Sequence, residues 1–289
     1  LYAAKSGGRN RFCVFAEEMD HALRNRQEIE SDLRRALERG GEIGVLFQPI
    51  VERDRLAIVG MEALVRWDHP LRGPVPPSEF IPVAEETGLI LPLGDFVLRR
   101  ALQAAAEIDG LTIAINVSAV QIQSASFADS VKALIAEIGV EPGRVELEIT
   151  ETILMDGHER SMSAIARLQE IGVRIALDDF GTGYSSLAYL RSFAVDRIKI
   201  DRAFIANLAT DRGATEIVGA IAALGKALGM RVTAEGVETR EQFDLLSDAG
   251  CDEFQGYLFS PPVPAATMSA FVGGRPLPAP GTRAALGAA

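Results

Sequence analysis

The sequence predicts a single TIM-like (β/α)8 barrel of the α/β class, with its first strand antiparallel to the rest. Three observations point there. Eight short apolar runs punctuate the 289 residues, and helical patterns separate most of them, the alternation that builds a parallel sheet or barrel. The runs close on polar, metal-competent residues: Glu62, Asn116, Glu148, Asp178-Asp179, Lys199, Glu235 and Gln255. In a closed barrel the C-terminal strand ends form the active-site face, so this one structural phase describes a reaction centre. Finally, α/β barrels of this length routinely form one domain.

The elements follow in chain order. Residues 1–16, LYAAKSGGRNRFCVFA, hold one short run, Arg11 to Phe15, enough for a strand but not a domain. Residues 17–41 read as a connecting helix, with Leu23, Ile29, Leu33 and Leu37 near helical spacing and Gly40-Gly41 as its end. The helix is either a cap on the barrel or a connector from an upstream domain, and pattern alone leaves both open. The barrel spans 42–272, with strands expected at 44–51, 57–66, 111–117, 144–150, 173–179, 197–201, 231–236 and 253–259. Helices are expected at 92–108, 126–138, 158–171, 204–228 (with a break near Thr210) and 239–249, while PVPP at 74–77 marks a loop. Only Glu52 to Ala57 separates the first two strands. A parallel crossover needs a dozen residues or more and a hairpin only a few, so the first strand should run antiparallel. Residues 273–289 are rich in Gly, Pro and Ala and are expected to be disordered.

Composition narrows the partners. A net charge of −11 argues against a DNA or RNA duplex bound through a basic face. Cys13 and Cys251 fit neither a disulfide framework nor a zinc site. Lys226 interrupts the longest apolar stretch, Ile217 to Met230, so no membrane span is expected. The chain opens at Leu1 without a signal peptide, and the expectation is a cytoplasmic fragment of a longer protein.

At the expected mouth, Glu62, Glu148, Asp178, Asp179, Glu235 and Glu238 face one cation, Lys199. Like charges so placed raise one another's pKa or need neutralising. All-oxygen donors, the carboxylates and the amide of Asn116, favour Mg²⁺ or Mn²⁺. Asp178-Asp179 is the natural bridge between two metals about 4 Å apart, a clamp for in-line displacement at phosphorus. The loop 180–186, FGTGYSS, can move or approach a ligand closely. His21, His69 and His158 read as non-ligands, on a helix, in a proline-containing loop and at a helix start.

Beyond spacing, Glu62-Ala63-Leu64-Val65-Arg66-Trp67 resembles the signature of EAL domains, the cyclic di-GMP phosphodiesterases. The match continues through FQPIV at 47–51, PPSEFIPVAEETGLI at 76–90, INVS at 115–118, ELEITET at 146–152 and LDDFGTGYSSLAYL at 177–190. DRIKIDRAFI at 196–205, TAEGVET at 233–239 and DEFQGYLFSPP at 252–262 extend it, over about 20–272. Residues 1–16 look like the last strand region of a GGDEF domain, which would make this the C-terminal part of a GGDEF–EAL tandem. The cyclase's own motif is absent from the chain.

The resemblance implies roles. Glu62, Asn116, Glu148 and Asp178 look like ligands of one metal, and Asp178, Asp179 and Glu235 of a second. Lys199 is similar to the lysine that holds the nucleophilic water, and Glu235 to the general-base candidate. Gln48, Leu64, Arg66 and Asp201 resemble substrate contacts, and Glu238 and Gln255 join them at the mouth, Gln255 hydrogen-bonding around the metal and water cluster. Glu151 looks like the anchor of the 180–186 loop; three residues past Glu148, in a strand it would face away from that ligand. Pro261-Pro262 stands where many relatives carry a basic residue before the proline.

The implied activity is hydrolysis of cyclic di-GMP to linear pGpG with two Mg²⁺ or Mn²⁺, inhibited by Ca²⁺. A non-catalytic cyclic di-GMP receptor and a metal-dependent phosphodiesterase of other specificity are the alternatives. A homodimer is expected through 180–190, where Leu187, Tyr189 and Leu190 offer an apolar surface.

Overall fold

The computed structural model describes residues 17–155, 159–181, 195–206, 208 and 211–274. Expectations for residues 1–16, His158, the 182–190 dimer surface, Thr210 and the tail past 274 lie outside them.

Eight strands close a ring: β1 (Ile43–Glu52), β2 (Ile58–His69), β4 (Thr112–Asn116), β5 (Val145–Thr150), β6 (Arg174–Phe180), β7 (Arg197–Ile200), β8 (Arg231–Ala234) and β9 (Glu253–Phe254). A short β3 (Gly73–Val75) extends β2 at its end. The order around the ring is β1-β9-β8-β7-β6-β5-β4-β2 and back to β1. β1 is antiparallel to both neighbours, as its short connection to β2 requires, while β2 and β4 through β9 run parallel.

Most of the apolar side chains of the strands face outward. On β5, Val145, Leu147 and Ile149 join the main core between sheet and helices, whereas Glu146 and Glu148 point into the barrel. That core is closed by α3 (Ile90–Glu107), α5 (Phe127–Ile138), α7 (Glu159–Glu170), α9 (Arg212–Leu228) and α10 (Arg240–Ala249). A second cluster surrounds Trp67, where Ile29 and Leu33 of α1 (Glu17–Arg39) meet Phe80 of α2 (Pro77–Thr87) and Leu93. The connecting helix is therefore packed on the barrel wall. Among the described residues no helix is long and apolar enough to cross a membrane.

Several elements differ from expectation. PVPP does not mark only a loop: Pro77 opens α2, where a missing N–H costs nothing, and Gly88 at φ 77° ends it. The helix expected at 204–228 with a break near Thr210 does divide, into α8 (Arg202–Ile205) and α9, each capped by an aspartate, Asp201 and Asp211; only its start, at Arg202, differs. The turns α4 (Ala119–Ile122) and α6 (Glu151–Met155) and the helix α11 (Ala265–Val272) carried too little periodicity to be read. The last strand stops at Phe254, because Gly256 brings its backbone against that of Val237, where a Cβ would lie 2.1 Å from the carbonyl oxygen. His69 is the last residue of β2; it is buried, and its Nδ1 accepts from the N–H groups of Leu71 and Arg72.

Candidate active site

Lys199 of β7 is 1% exposed. Its ammonium lies 2.5 Å from Glu235 Oε1, 2.7 Å from Glu148 Oε2, 3.3 Å from Asp178 Oδ1 and 3.7 Å from Glu62 Oε1. These carboxylates come from β2, β5, β6 and the residue after β8, so only side chains inside the barrel can meet in this way. The ladder continues past β8 and β9, since Glu235 N–H donates to Ile200 and Gln255 N–H to Ala234.

A second network holds Glu62. Asn116 Nδ2 donates to its Oε1 at 2.6 Å and Gln255 Nε2 to its Oε2 at 2.5 Å. Gln255 Nε2 also lies 3.0 Å from Gln48 Oε1, and Gln48 Nε2 donates to the Ser260 carbonyl at 3.0 Å. The turn after Asn116 is fixed by a capping box between Ser118 and Gln121.

Electrostatics divides the carboxylates. Burial pushes Glu235 up to about 8, and the charges of Asp178 and Glu62 add to it against the pull of Lys199. Burial, followed by the charge of Glu62, also drives Glu148 well above the usual range. For Glu62 burial acts the same way, but Lys199 and the hydrogen bond from Gln255 outweigh it and hold the carboxyl below its ordinary value. Lys199 is disfavoured as an ion by burial, yet its carboxylate neighbours, Glu148 first, hold it well above the ordinary lysine value.

Asp178 and Asp179 sit where the β6–β7 register shifts, between Leu177 and Phe180. Asp179 takes φ 54°, a left-handed conformation unusual for a side chain with a Cβ. The bulge turns Asp178 toward Lys199 and leaves Asp179 at the rim, its carboxyl raised by burial and by Asp178.

The other expected residues divide. Arg66 and Leu64 line a cleft of about 290 Å³ with Asn116, Ile81 and Leu93, beside the cluster. Asp201 caps α8, its Oδ1 accepting from Ala203 N–H at 2.9 Å. Glu238 is exposed, and none of the cluster's ion pairs or hydrogen bonds includes it; its backbone N–H donates to Gln242 Oε1 at 2.8 Å. Glu151 is not on a strand: it opens α6, buried, with neither carboxylate oxygen hydrogen-bonded among the described residues.

The strand-end reading missed a second buried polar set, the charged Glu146, Arg197 and Glu253 with Thr233. Each stands two residues before a functional candidate, and that repeated spacing was the signal available.

No three acidic, imidazole or thiol groups among the described residues close on a common point as a finished metal cage, and the Lys199 ammonium lies between the carboxylates. The donors nevertheless suit hard divalent cations. Both oxygens of Glu148, Asp178 Oδ1 and Glu235 Oε1 are buried without hydrogen-bond geometry to any described partner, although three of these four pair with Lys199 by charge. Buried carboxylate oxygens gathered around a single ammonium in this way are the donor set of a hard, oxygen-seeking cation.

A family model described as "EAL domain" matches residues 30–262. The chain is 46% identical over 265 residues to an "Uncharacterized signaling protein" of Caulobacter vibrioides, covering 91% of this chain and 33% of that one. It is 41% identical over 277 residues to the "Bifunctional diguanylate cyclase/cyclic di-GMP phosphodiesterase MucR" of Pseudomonas aeruginosa, covering 94% and 40%. The chain thus spans about a third to two fifths of the length of these curated relatives. Among solved structures, "PaMucR Phosphodiesterase, c-di-GMP complex" superposes with a TM-score of 0.76 at 39% identity, over 87% of this chain and 98% of that one.

Proposed function

The chain belongs to the EAL domain family, and from that premise we propose that it is a metal-dependent phosphodiesterase that opens one linkage of cyclic di-GMP to give linear pGpG. The observation that carries the reading is the Lys199 ammonium buried among four carboxylates at the mouth of the barrel. The resemblance to relatives named for cyclic di-GMP and phosphodiesterase activity supports it.

Glu62, Asn116, Glu148 and Asp178 would hold one cation, and Asp178, Asp179 and Glu235 a second. When bound, two Mg²⁺ or Mn²⁺ supply Lewis acidity at the phosphate and acidify water. Arg66 and Leu64, beside the cleft, with Gln48 and Asp201, would position the dinucleotide, and Glu238 would contact it from the rim. Lys199 would hold the attacking water and offset charge developing on phosphorus. Glu235, its Oε1 2.5 Å from the Lys199 ammonium, would take the proton from that water at its carboxylate. Gln255 would keep Glu62 oriented, its Nε2 bound to Glu62 Oε2. Glu151 would anchor the 180–186 loop.

In the full-length protein a GGDEF-like domain would precede residue 17, the setting would be cytoplasmic, and two copies would associate through 180–190. The test is incubation with cyclic di-GMP and Mn²⁺ followed by chromatography. The expected product is linear pGpG, lost in EDTA and in Ca²⁺, because calcium accepts longer and looser oxygen coordination. Tight binding without turnover would instead make the chain a receptor, and comparable turnover in EDTA would remove the metals.

A further inference from the structure

We infer that Arg197 is a positioning residue for the catalytic layer, acting from one pleat beneath it; the inference rests on the reaction proposed above. Glu146, Arg197, Thr233 and Glu253 precede Glu148, Lys199, Glu235 and Gln255 by two residues each, on β5, β7, β8 and β9. Side chains at i and i+2 share a face of a strand, about 7 Å apart. The lower set therefore forms a floor beneath the upper one.

Arg197 joins this floor together. Its Nε lies 2.8 Å from Glu146 Oε1 and donates to Oε2 at 3.0 Å. Its Nη1 donates to Thr233 Oγ1 at 2.7 Å and pairs with Glu253 Oε2. Arg231 closes the other side, 2.7 Å from Glu253 Oε1. β6 lies between β5 and β7, and β8 between β7 and β9, so one guanidinium spans the lumen and ties three other strands to its own. Those are the strands that carry Glu148, Glu235 and Gln255.

Stability alone does not account for the arrangement. Desolvating two carboxylates and a guanidinium is costly, and apolar side chains of similar volume often serve as well or better. What the planar fork adds is fixed distance and angle to each partner. The upper layer needs that, because Lys199 meets four carboxylates from four directions, and a misplacement of about 1 Å can cost a hundredfold in rate.

The experiment compares the wild-type protein with Arg197→Met/Glu146→Leu/Glu253→Leu, with Thr233→Val and with Arg197→Lys. Thermal melting, kcat and KM for cyclic di-GMP, and Mn²⁺ affinity by calorimetry are measured for each. The triple variant should fold with Tm equal to or above wild type, while kcat falls by about thirtyfold, KM moves less than about threefold and Mn²⁺ binds about tenfold more weakly. Thr233→Val removes two hydrogen bonds beneath Glu235, the one accepted from Arg197 and the longer one donated to Glu253, and should lower kcat by about fivefold at unchanged Tm; Arg197→Lys should fall between wild type and the triple variant. If the triple variant does not fold, Thr233→Val decides. A folded variant, triple or Thr233→Val, with wild-type kcat and Mn²⁺ affinity overturns the inference, as does a loss confined to KM. A wild-type protein that hydrolyses nothing, but whose Mn²⁺ affinity drops in the variants, sinks the phosphodiesterase reading and leaves the positioning role standing.

Discussion

Among single side chains, Glu62 tests the separation of site from core. It is buried, but its partners are Asn116, Gln255 and the Lys199 ammonium, all polar. Glu62→Ala should leave the circular dichroism spectrum intact and lower turnover by at least about a hundredfold, comparable to removing a preorganised electrostatic contact; an unfolded variant would assign Glu62 to the core instead. Cys251 is the opposite case. Burial lifts its thiol to about 12, so in a Cys13→Ser background the folded protein should resist Ellman's reagent until denaturant exposes it. Glu148, Asp178 and Lys199 were legible because a barrel assigns strand ends to one face. Arg197 and Glu146 were not, since a charged residue inside a short strand reads as outward until the ring order shows what it meets. Glu151 was misplaced because a lone turn of helix after a strand has no period to betray it.

At the scale of elements, the antiparallel start and seven of the eight strand positions followed from run length and connection length. The final strand did not, because FQGYLF looks apolar throughout while the fold is decided by Gly256. Gly256→Ala should therefore be severe. Its Cβ would meet Val237 backbone on two sides, at 2.1 Å and 2.3 Å, and neither can move without displacing Gln255, whose carbonyl accepts from Val237 N–H. A loss of Tm together with activity is expected, and wild-type behaviour would show that the loop yields freely. The connecting helix makes a separate prediction. Leu33 is fully buried against the Trp67 cluster, so Leu33→Ala should cost about 2–5 kcal/mol in denaturant unfolding. A loss under about 0.5 kcal/mol would mean that α1 is not part of the barrel body, since exposed sites cost that little.

For the whole molecule, charge couples metal binding to pH. Glu235, raised to about 8, carries a proton at pH 7 that a cation must displace, and burial shifts Glu148 in the same direction. Mn²⁺ affinity should rise as pH increases toward 8, with protons released on binding. Calorimetry at pH 7 in buffers of different ionisation enthalpy checks this, and identical heats would refute it. The reversed first strand has a different consequence. Ile43, where β1 begins, pairs with Trp67 at the mouth end of β2, one residue from Arg66. In an all-parallel ring the first strand would begin at the floor; here the polypeptide is threaded in past the rim. For anyone building chimeras, a switchable helix spliced ahead of α1 would pass torque or strain along α1 to the rim beside Arg66, with no need to transmit it through the barrel.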